Sequence, residues 1–138
     1  MTGGFVADSF IGVAWVVPAQ SSSSATELLD RILGGTRFFV PALWPFEVSN
    51  ALLALTRRGK IGNDHYRRAV DALRRLTPVI DEDGPRLALG QTSDLAARHR
   101  LSVYDASYLE LAIRRRLPLA SRDTALISAA KKHELEVL

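Results

Sequence analysis

The sequence predicts a single α/β domain, with a parallel sheet of four to five strands covered by helices on both faces. Two patterns support this prediction. Short apolar segments without polar alternation recur along the chain, as in strands that are buried on both faces. Longer segments with helical spacing and capping residues separate them. The 138 residues suffice for one core, and no repeat or linker divides them, so we expect residues 1–138 to form one domain.

The first part of the chain predicts one strand and two helices. The apolar segment Phe5–Ala7 is the first predicted strand. Ser9–Val17 is apolar and compatible with a helix, which Pro18 stops because proline cannot continue it. A serine-rich loop then leads into a helix over Thr26–Leu33, which a pair of glycines ends.

The middle of the chain predicts a second strand and two further helices. Arg37–Val40 is the strand, and a proline ends it. The helix over Pro45–Arg58 starts on a proline, whose fixed φ suits the first helical position, and a glycine follows its last residue. Asn63 or Asp64 can cap a helix that extends to about Arg75.

The last part of the chain repeats the alternation of strands and helices. The predicted elements are a strand over Pro78–Ile80, a helix capped by Asp83 and reaching about His99, a helix within Ser102–Ala112, a strand over Leu117–Ala120, a helix starting at Asp123 and a small edge strand over Glu136–Leu138. The helix within Ser102–Ala112 carries one apolar stripe, formed by Tyr104, Tyr108, Leu111 and Ala112. We expect this helix to be buried on most sides.

The composition excludes several kinds of site. The sequence holds no cysteine, which excludes disulfides, thiolate metal ligands and cysteine nucleophiles. Its net charge of +3 permits a polyanionic partner without requiring one. No stretch approaches the roughly 20 apolar residues of a membrane span, and the first residues lack the basic segment of a signal peptide. We therefore expect a cytoplasmic protein without a membrane partner.

Four acids lie at or near the predicted starts of helices: Asp8, Glu47, Asp105 and Asp123. Each alone is explained by capping or by the helix dipole. Asp8 and Asp123 also follow predicted parallel strands, so they point to the same edge of the sheet, where α/β proteins bind ligands. Clustered carboxylates repel one another unless a cation sits between them, and Mg²⁺ prefers oxygen ligands. Spacing alone leaves both interpretations open.

The chain resembles the PIN-domain family, and in particular the VapC ribonuclease toxins of toxin–antitoxin pairs. Four segments carry the resemblance: "VADS" at 6–9, "VPALWPFEVSNALL" at 40–53, "LSVYDASYLELA" at 101–112 and "LPLASRD" at 117–123. Their order and spacing match over nearly the whole chain. One position departs from the family, since members often carry a small polar residue where this chain has Phe10, beside Ser9.

The resemblance implies a Rossmann-like sheet of order 3-2-1-4-5 and a Mg²⁺-dependent endoribonuclease, with Mn²⁺ as the other candidate ion. It implies metal binding by Asp8, Asp105 and Asp123, orientation of water by Glu47 as the base, and supporting hydrogen bonds from Ser9, Asn50 and Ser121. It further implies an RNA substrate, a VapB-type antitoxin and a homodimer. Arg67 and Arg68 belong to a basic cluster that is either a phosphate track or an ordinary solvated helix face.

Two further expectations concern aromatic and histidine side chains. The usual burial of large aromatic side chains predicts core or near-core positions for Trp15, Trp44, Phe10 and Phe46, some of which could line a groove for a partner. No pair of histidines has the spacing of metal ligands, so we expect no such role for His65, His99 or His133.

Two other functions are compatible with acids at strand ends. A receiver-like signalling domain would carry adjacent acids after the first strand and a lysine after a late strand. Here Ser9 and Phe10 follow Asp8, and the late lysines lie in a predicted helix. A catalytically idle PIN-like protein that binds RNA or serves as a scaffold is the second alternative, and the presence of all four acids disfavours it.

Overall fold

A four-stranded parallel sheet forms the centre of the molecule. The computed structural model describes residues 3–138. The strands are β1 (Phe5–Ala7), β2 (Phe38–Pro41), β3 (Val79–Asp81) and β4 (Leu119–Ala120), in the spatial order β3-β2-β1-β4. Val6 is paired with Phe39 on one side and with Leu119 on the other, so β1 is a central strand. The predicted parallel α/β architecture and the order of the first four strands are confirmed.

The predicted fifth strand is reduced to a single bridge. Val137 pairs with Leu119 in parallel orientation beyond β4, at the position that the order 3-2-1-4-5 gives to a fifth strand. The N–H of Leu119 donates to the carbonyl of Glu136, and the N–H of Leu138 donates to the carbonyl of Leu119, both at 2.9 Å. The C-terminal segment therefore covers the outer side of β4 without forming a full strand.

Eight α-helices surround this sheet in residues 3–138. They are α1 (Ser9–Val16), α2 (Ser23–Leu33), α3 (Trp44–Arg57), α4 (Asn63–Arg75), α5 (Gly84–Leu87), α6 (Ser93–His99), α7 (Val103–Arg115) and α8 (Thr124–Lys132). Side chains of Asp8, Ser22, Ser102 and Asp123 accept backbone N–H groups at the starts of α1, α2, α7 and α8. No helix among these residues is long and apolar enough to cross a membrane.

The two faces of the sheet are covered by different helices. On β2, Phe38 contacts Trp15 of α1 and Trp44 of α3, whereas the guanidinium of Arg115 in α7 lies over the ring of Phe39. Neighbouring residues of a strand point to opposite faces, so α1 and α3 cover one face and α7 covers the other. Six of the 13 residues of α7 are buried, all of them between Ala106 and Ala112, whereas the first two residues of the helix are exposed.

A glycine permits the close contact between α1 and α3. A Cβ atom at Gly12 would lie 2.8 Å from the indole ring of Trp44 and 3.1 Å from Val48. Only a residue without a side chain fits there. The indole N–H of Trp44 also donates to the carbonyl of Asp8 at 3.2 Å. This contact holds the start of α3, with Glu47, beside the start of α1.

Two predicted helix starts are wrong in detail. Gly62 is the N-cap of α4, and the side chain of Asp64 pairs with Arg67 at 2.7 Å instead of capping the helix. Asp83 occupies an N-cap position but forms no capping hydrogen bond. Arg67 offers Asp64 a charged donor, which forms a stronger hydrogen bond than a backbone N–H, whereas the arginines nearest to Asp83 are 3.8 and 3.9 Å away.

The predicted helix from Asp83 to His99 is interrupted. A π-helical turn over Ala88–Thr92 separates α5 from α6, and Gly90 has non-helical torsion angles of φ −122° and ψ −108°. Glycine lacks the Cβ that restricts these angles, so the chain bends at this residue.

Three predicted core positions are wrong. Phe10, Phe46 and Tyr104 are mainly exposed, whereas Trp44 is buried and Trp15 packs partly buried against the core. The apolar stripe that begins with Tyr104 therefore includes only its later members. The helices instead bury neighbouring residues, such as Ile11 in α1 and Val48 in α3, on the faces turned to the sheet.

A buried ion-pair network joins β3 to α7. The guanidinium of Arg114 donates to both oxygens of Asp81 at 2.9 and 2.7 Å and to both oxygens of Glu110 at 2.9 and 2.8 Å. The side chains of Asp81 and Glu110 are only 5% and 7% exposed. Arg114, the first of three consecutive arginines at 114–116, therefore neutralises two buried carboxylates.

We predict that Arg114→Met destabilises the protein by about 3–5 kcal/mol, because it leaves two buried carboxylates without a cation. Chemical denaturation at neutral pH measures this loss. Arg74→Met is the matched control: it removes an exposed pair with Asp71 and costs at most about 1 kcal/mol. Equal losses in the two variants would contradict the assigned importance of the network.

The same network predicts a pH dependence. The hydrogen bonds from Arg114 hold the pKa of Asp81 below its usual value. The resulting stabilisation is fully present above the unfolded-state pKa of about 3.9 and is lost as the pH falls through the folded-state value. The stability difference between the parent protein and Arg114→Met should therefore shrink in acid.

Candidate active site

The candidate site lies at the carboxyl ends of the central strands. Asp8 follows β1 directly, and Ser121 and Asp123 follow β4. β2 and β3 lie on one side of β1 and β4 lies on the other, so the order in which the chain adds strands reverses between β1 and β4. A crevice opens at such a switch point in parallel α/β sheets.

Asp8 is held rigidly by both its backbone and its side chain. Its N–H donates to the carbonyl of Ala120 at 3.1 Å. Its Oδ1 accepts the N–H of Ile11 at 2.9 Å, and its Oδ2 accepts the hydroxyl of Ser121 at 2.5 Å. The residue is 5% exposed. Burial raises the pKa of Asp8, against the opposing effect of these hydrogen bonds.

Ser121 connects the two strand ends. While its hydroxyl donates to Asp8, the same oxygen accepts the N–H of Asp123 at 3.0 Å. Asp123 in turn caps α8, because its Oδ1 accepts the N–H of Leu126 at 2.9 Å. The orientation of Asp8 and the start of α8 therefore depend on one buried serine.

Glu47 is held by a tyrosine from another helix. It lies half-buried in the first turn of α3, and its Oε1 accepts the hydroxyl of Tyr108 in α7 at 2.5 Å. Burial is the largest cause of its raised pKa, and the charges of Asp105 and Asp8 add to it. Burial and the neighbouring Glu47 raise the pKa of Tyr108, so its hydroxyl keeps the proton that it donates.

Asp105 lies in the first turn of α7, which Ser102 caps. The hydroxyl of Ser102 accepts the N–H of Asp105 at 3.0 Å, so the carboxylate takes no part in the cap itself. Partial burial raises the pKa of Asp105, and the charge of Asp123 raises it further. Asp105 is thus close enough to Asp123 for their charges to interact.

The electrostatic interactions among the four acids form a closed ring. Asp8 interacts with Asp123 and Glu47, and Asp105 interacts with the same two residues. Within residues 3–138, none of the four is paired with an arginine, lysine or histidine. The structure therefore collects negative charge at this edge without a side chain that neutralises it.

The ring is suited to a hard divalent cation that keeps part of its water shell. Among the residues described, no three of the side chains that bind metals are spaced to hold one ion directly. Mg²⁺ is commonly bound through only one or two carboxylates, with waters and substrate phosphates as its other ligands. Asp8, Asp105 and Asp123 supply hard oxygen donors of this kind, and an ion there would offset the repulsion between them.

The other predicted site residues differ in how close they lie to the four acids. Ser9 contacts the hydroxyl of Tyr108. Asn50 is exposed and forms no hydrogen bond to the four acids in the described structure. Arg67 and Arg68 lie on α4, whose residue His65 contacts the carbonyl of Val16 at 2.9 Å. This contact is at the end of α1 opposite Asp8.

Two of the three histidines lie close together although they are far apart in the sequence. The Nε2 atoms of His99 and His133 lie 2.9 Å apart, one at the end of α6 and one after α8. In the described part of the chain, the pair belongs to no group of three or more histidine, cysteine, aspartate or glutamate side chains that could hold a metal ion.

Tyr108 is the site residue that sequence reasoning missed. Its place in an apolar stripe predicts a core aromatic, and it is indeed buried. A buried tyrosine hydroxyl nonetheless needs a hydrogen-bond partner. That requirement was the available signal, although the spacing of residues along α7 does not identify a partner 61 residues away.

Comparisons with known proteins agree with this architecture. The crystal structure of PAE2754 from Pyrobaculum aerophilum is similar, with a TM-score of 0.69 and 18% identity over 98% of this chain and 83% of that chain. FitAcB from Neisseria gonorrhoeae gives a TM-score of 0.60 and 16% identity, over 97% of this chain and 96% of that chain. A structure of FitAB bound to an IR36 DNA fragment gives the same score and identity, over 97% and 93%.

At these identities the similar structures establish the fold alone. No curated protein matches the sequence significantly. The sequence model of the PIN domain matches residues 6–132, a range that includes the four acids, Ser121 and Tyr108. This match covers nearly the whole chain, and we conclude that the protein belongs to the PIN domain family, whose members are generally nucleases.

Proposed function

We propose that this protein is a Mg²⁺-dependent endoribonuclease and the toxin component of a VapC-type toxin–antitoxin pair. The observation that carries the proposal is the ring of Asp8, Glu47, Asp105 and Asp123 without a cationic partner. Such a ring costs stability unless it binds a cation, and a nuclease uses that cation.

Each residue of the ring has a distinct part in the proposed reaction. Asp8, Asp105 and Asp123 would hold Mg²⁺, or Mn²⁺, directly or through water. The ion would supply Lewis acidity and neutralise charge on the phosphodiester. Glu47 would orient the attacking water and accept its proton, and its raised pKa makes it a stronger base than an exposed glutamate. Tyr108 and Ser121 would position Glu47 and Asp8. The products would carry a 5′-phosphate and a 3′-hydroxyl.

A protein partner is part of the same proposal. An apolar groove of about 500 Å³ runs between α3 and α4, lined by Trp44, Val48, Leu52, Leu73 and Ile80. Ile80 is exposed on β3, which is an edge strand. These features support an antitoxin of the VapB type as partner. We further propose that the protein forms homodimers and acts in the cytoplasm, where RNA is available.

The catalytically idle alternative shares the fold and differs in chemistry. Capping explains Asp8 and Asp123 in a scaffold protein but not Glu47 and Asp105, whereas a metal-dependent nuclease uses all four acids. The family match removes the receiver-like alternative. Cleavage assays and metal-binding assays distinguish the two remaining possibilities.

We predict that Asp105→Asn lowers RNA cleavage by about 100-fold or more, a loss typical of removing one electrostatic contact in an active site. Asp8→Asn should do the same, and EDTA should abolish cleavage by the parent protein. The measurement is cleavage of labelled single-stranded RNA with Mg²⁺. Asp94→Asn, which changes an exposed acid in the first turn of α6, is the control and should cleave at the parent rate.

If Asp105→Asn retains the parent rate while circular dichroism shows an intact fold, the assigned site is wrong. Cleavage that persists in EDTA would instead contradict the metal dependence. Absence of cleavage in the parent protein, across RNAs of varied sequence, would favour the idle alternative.

We predict that Mg²⁺ stabilises the parent protein by roughly 1–3 kcal/mol at 10- to 100-fold excess over its Kd. Thermal unfolding measures the effect independently of cleavage, with NaCl of equal ionic strength as the control. The pKa values of Asp8, Glu47 and Asp105 are raised, so the metal-free folded state binds more protons than the unfolded state. The stability of the metal-free protein therefore falls as the pH rises from about 4, the unfolded-state pKa of a carboxyl group, through the raised folded-state values.

The stabilisation by Mg²⁺ should accordingly be larger at pH 7.5 than at pH 5, because protons compete with the ion for the same carboxylates. Asp105→Asn should reduce the stabilisation by Mg²⁺ at both pH values. An equal shift in melting temperature with Mg²⁺ and with NaCl would count against a specific metal site.

We predict that Arg67→Gln combined with Arg68→Gln weakens RNA binding and flattens its salt dependence. Each lost phosphate contact should reduce the slope of log K against log salt by about 0.7 for a single strand. Fluorescence anisotropy measures the RNA affinity at several salt concentrations, in proteins that also carry Asp105→Asn so that the RNA is not cleaved. Arg31→Gln, an exposed residue of α2, is the control. An unchanged slope would assign Arg67 and Arg68 to an ordinary solvated face.

A further inference from the structure

Three exposed aromatic side chains mark the candidate active site. Phe10 is 58% exposed, Phe46 is 78% exposed and Tyr104 is 67% exposed. All other aromatic residues in the described range 3–138 are buried or half-buried. Each of the three lies within two residues of a member of the acid ring. We call these three residues the aromatic rim.

The fold does not explain the aromatic rim. Aromatic side chains stabilise a protein chiefly by burial, as Phe38 does between Trp15 and Trp44. Phe46 and Tyr104 expose most of their surface to water. Single exposed aliphatic residues also occur: Leu33, Ile80 and Leu89 lie away from the acids in the sequence, and Val103 lies two residues before Asp105. Exposure of aromatic rings is therefore specific to the segments that carry the ring of acids.

The charge of the acid ring limits how RNA can be held there. An ion in the ring would attract the scissile phosphate, whereas the carboxylates repel the flanking phosphates, so phosphate contacts beside the ring contribute less to affinity than they do on a basic surface. Stacking of a base on an aromatic ring does not depend on opposite charge, and every base offers a flat face for it. Aromatic side chains are thus the residue type that holds a nucleic acid beside an acidic site.

A groove leads away from the acids along α3. Its floor includes Ala51, Ala54, Leu55 and Arg58, and Phe10 from α1 forms part of its wall. Ala51, Ala54 and Arg58, the C-cap of α3, follow Glu47 at intervals of three or four residues, so Glu47 and Arg58 lie on the same side of the helix. At about 1.5 Å per residue the two are roughly 16 Å apart along the axis. The groove has a volume of about 310 Å³ and ends at a positive charge.

We propose that the aromatic rim stacks on unpaired bases next to the scissile phosphate, and that the groove carries the strand toward Arg58, which contacts a more distant phosphate. This inference rests on the proposed endoribonuclease function. It specifies that the bases at the cleavage site are unstacked from their neighbours. A base-paired duplex cannot offer its base faces to the aromatic rim.

The test measures binding of a labelled single-stranded RNA by fluorescence anisotropy, in the full chain with Asp105→Asn and Mg²⁺ so that the RNA stays uncut. Phe10→Leu, Phe46→Leu and Tyr104→Leu keep an apolar side chain and remove the aromatic face. We expect each to weaken binding by about 5- to 100-fold. Phe46→Trp should keep the parent affinity. Leu89→Ala, which changes an aliphatic residue that is 97% exposed, is the control.

A second RNA identifies the group that is contacted. An oligonucleotide of equal length with abasic sugars at the nucleotides flanking the cleavage site keeps its phosphates and loses the base faces. The parent protein should bind it more weakly, and the three leucine variants should lose no further affinity for it. An additional loss with the abasic RNA would show that the aromatic rim does not contact those bases, which would overturn the inference.

The outcomes separate this inference from the proposed function. Leucine variants that bind intact RNA like the parent would overturn the inference. Cleavage by the protein with Asp105 restored would then still support the proposed function. If binding falls in the leucine variants but that protein cleaves no RNA, the proposed function fails and the aromatic rim stands as an RNA-binding surface.

Discussion

Repulsion among four carboxylates at one edge of the sheet is the constraint on which the site depends. The fold tolerates this repulsion because hydrogen bonds hold the carboxylates of Asp8, Glu47 and Asp123 in place. Asp8 is fixed between the N–H of Ile11 and the hydroxyl of Ser121, and Glu47 is fixed by Tyr108. Asp8 and Asp123 also cap helices, so the favourable energy of capping offsets part of the electrostatic cost. The structural and functional explanations of these acids are therefore compatible, since the same hydrogen bonds serve both.

The molecule contains two different solutions to the burial of acidic groups. Asp81 and Glu110 share Arg114, and the resulting pair of bidentate contacts joins β3 to α7. The ring of acids at the other strand ends has no such partner in the described residues, and burial raises the pKa of three of its members. A neutralised network adds to the stability of the fold, whereas an uncompensated one reduces stability and gains affinity for cations. If the proposed function is right, this contrast separates acids that stabilise the fold from acids that bind the ion.

The sheet topology explains why the site forms where it does. β1 lies between β2 and β4, and its carboxyl end brings Asp8 beside the segments that follow its two neighbours. Gly12 permits α1 to approach Trp44, and Trp44 donates to the carbonyl of Asp8, so the start of α3 is held at the same edge. In α1 and α3 the nearby residues Ile11 and Val48 are buried against the core, whereas Phe10 and Phe46 lie on the exposed sides of their helices.

Local sequence was sufficient to predict the alternation of strands and helices, the caps at Asp8 and Asp123 and the family, because capping, chain breaks and motif order are properties of neighbouring residues. It could not predict that His99 meets His133, that Arg114 neutralises Asp81 and Glu110, or that Tyr108 holds Glu47. It predicted core or near-core positions for Phe10 and Phe46 from the usual burial of aromatic side chains and placed Tyr104 in an apolar stripe, but neither observation shows how much of that surface a neighbouring element covers. Each of these depends on which elements pack together. Only the tertiary structure decides the partners of a polar group and the exposure of an aromatic ring, because both are set by contacts between residues that are distant in the chain.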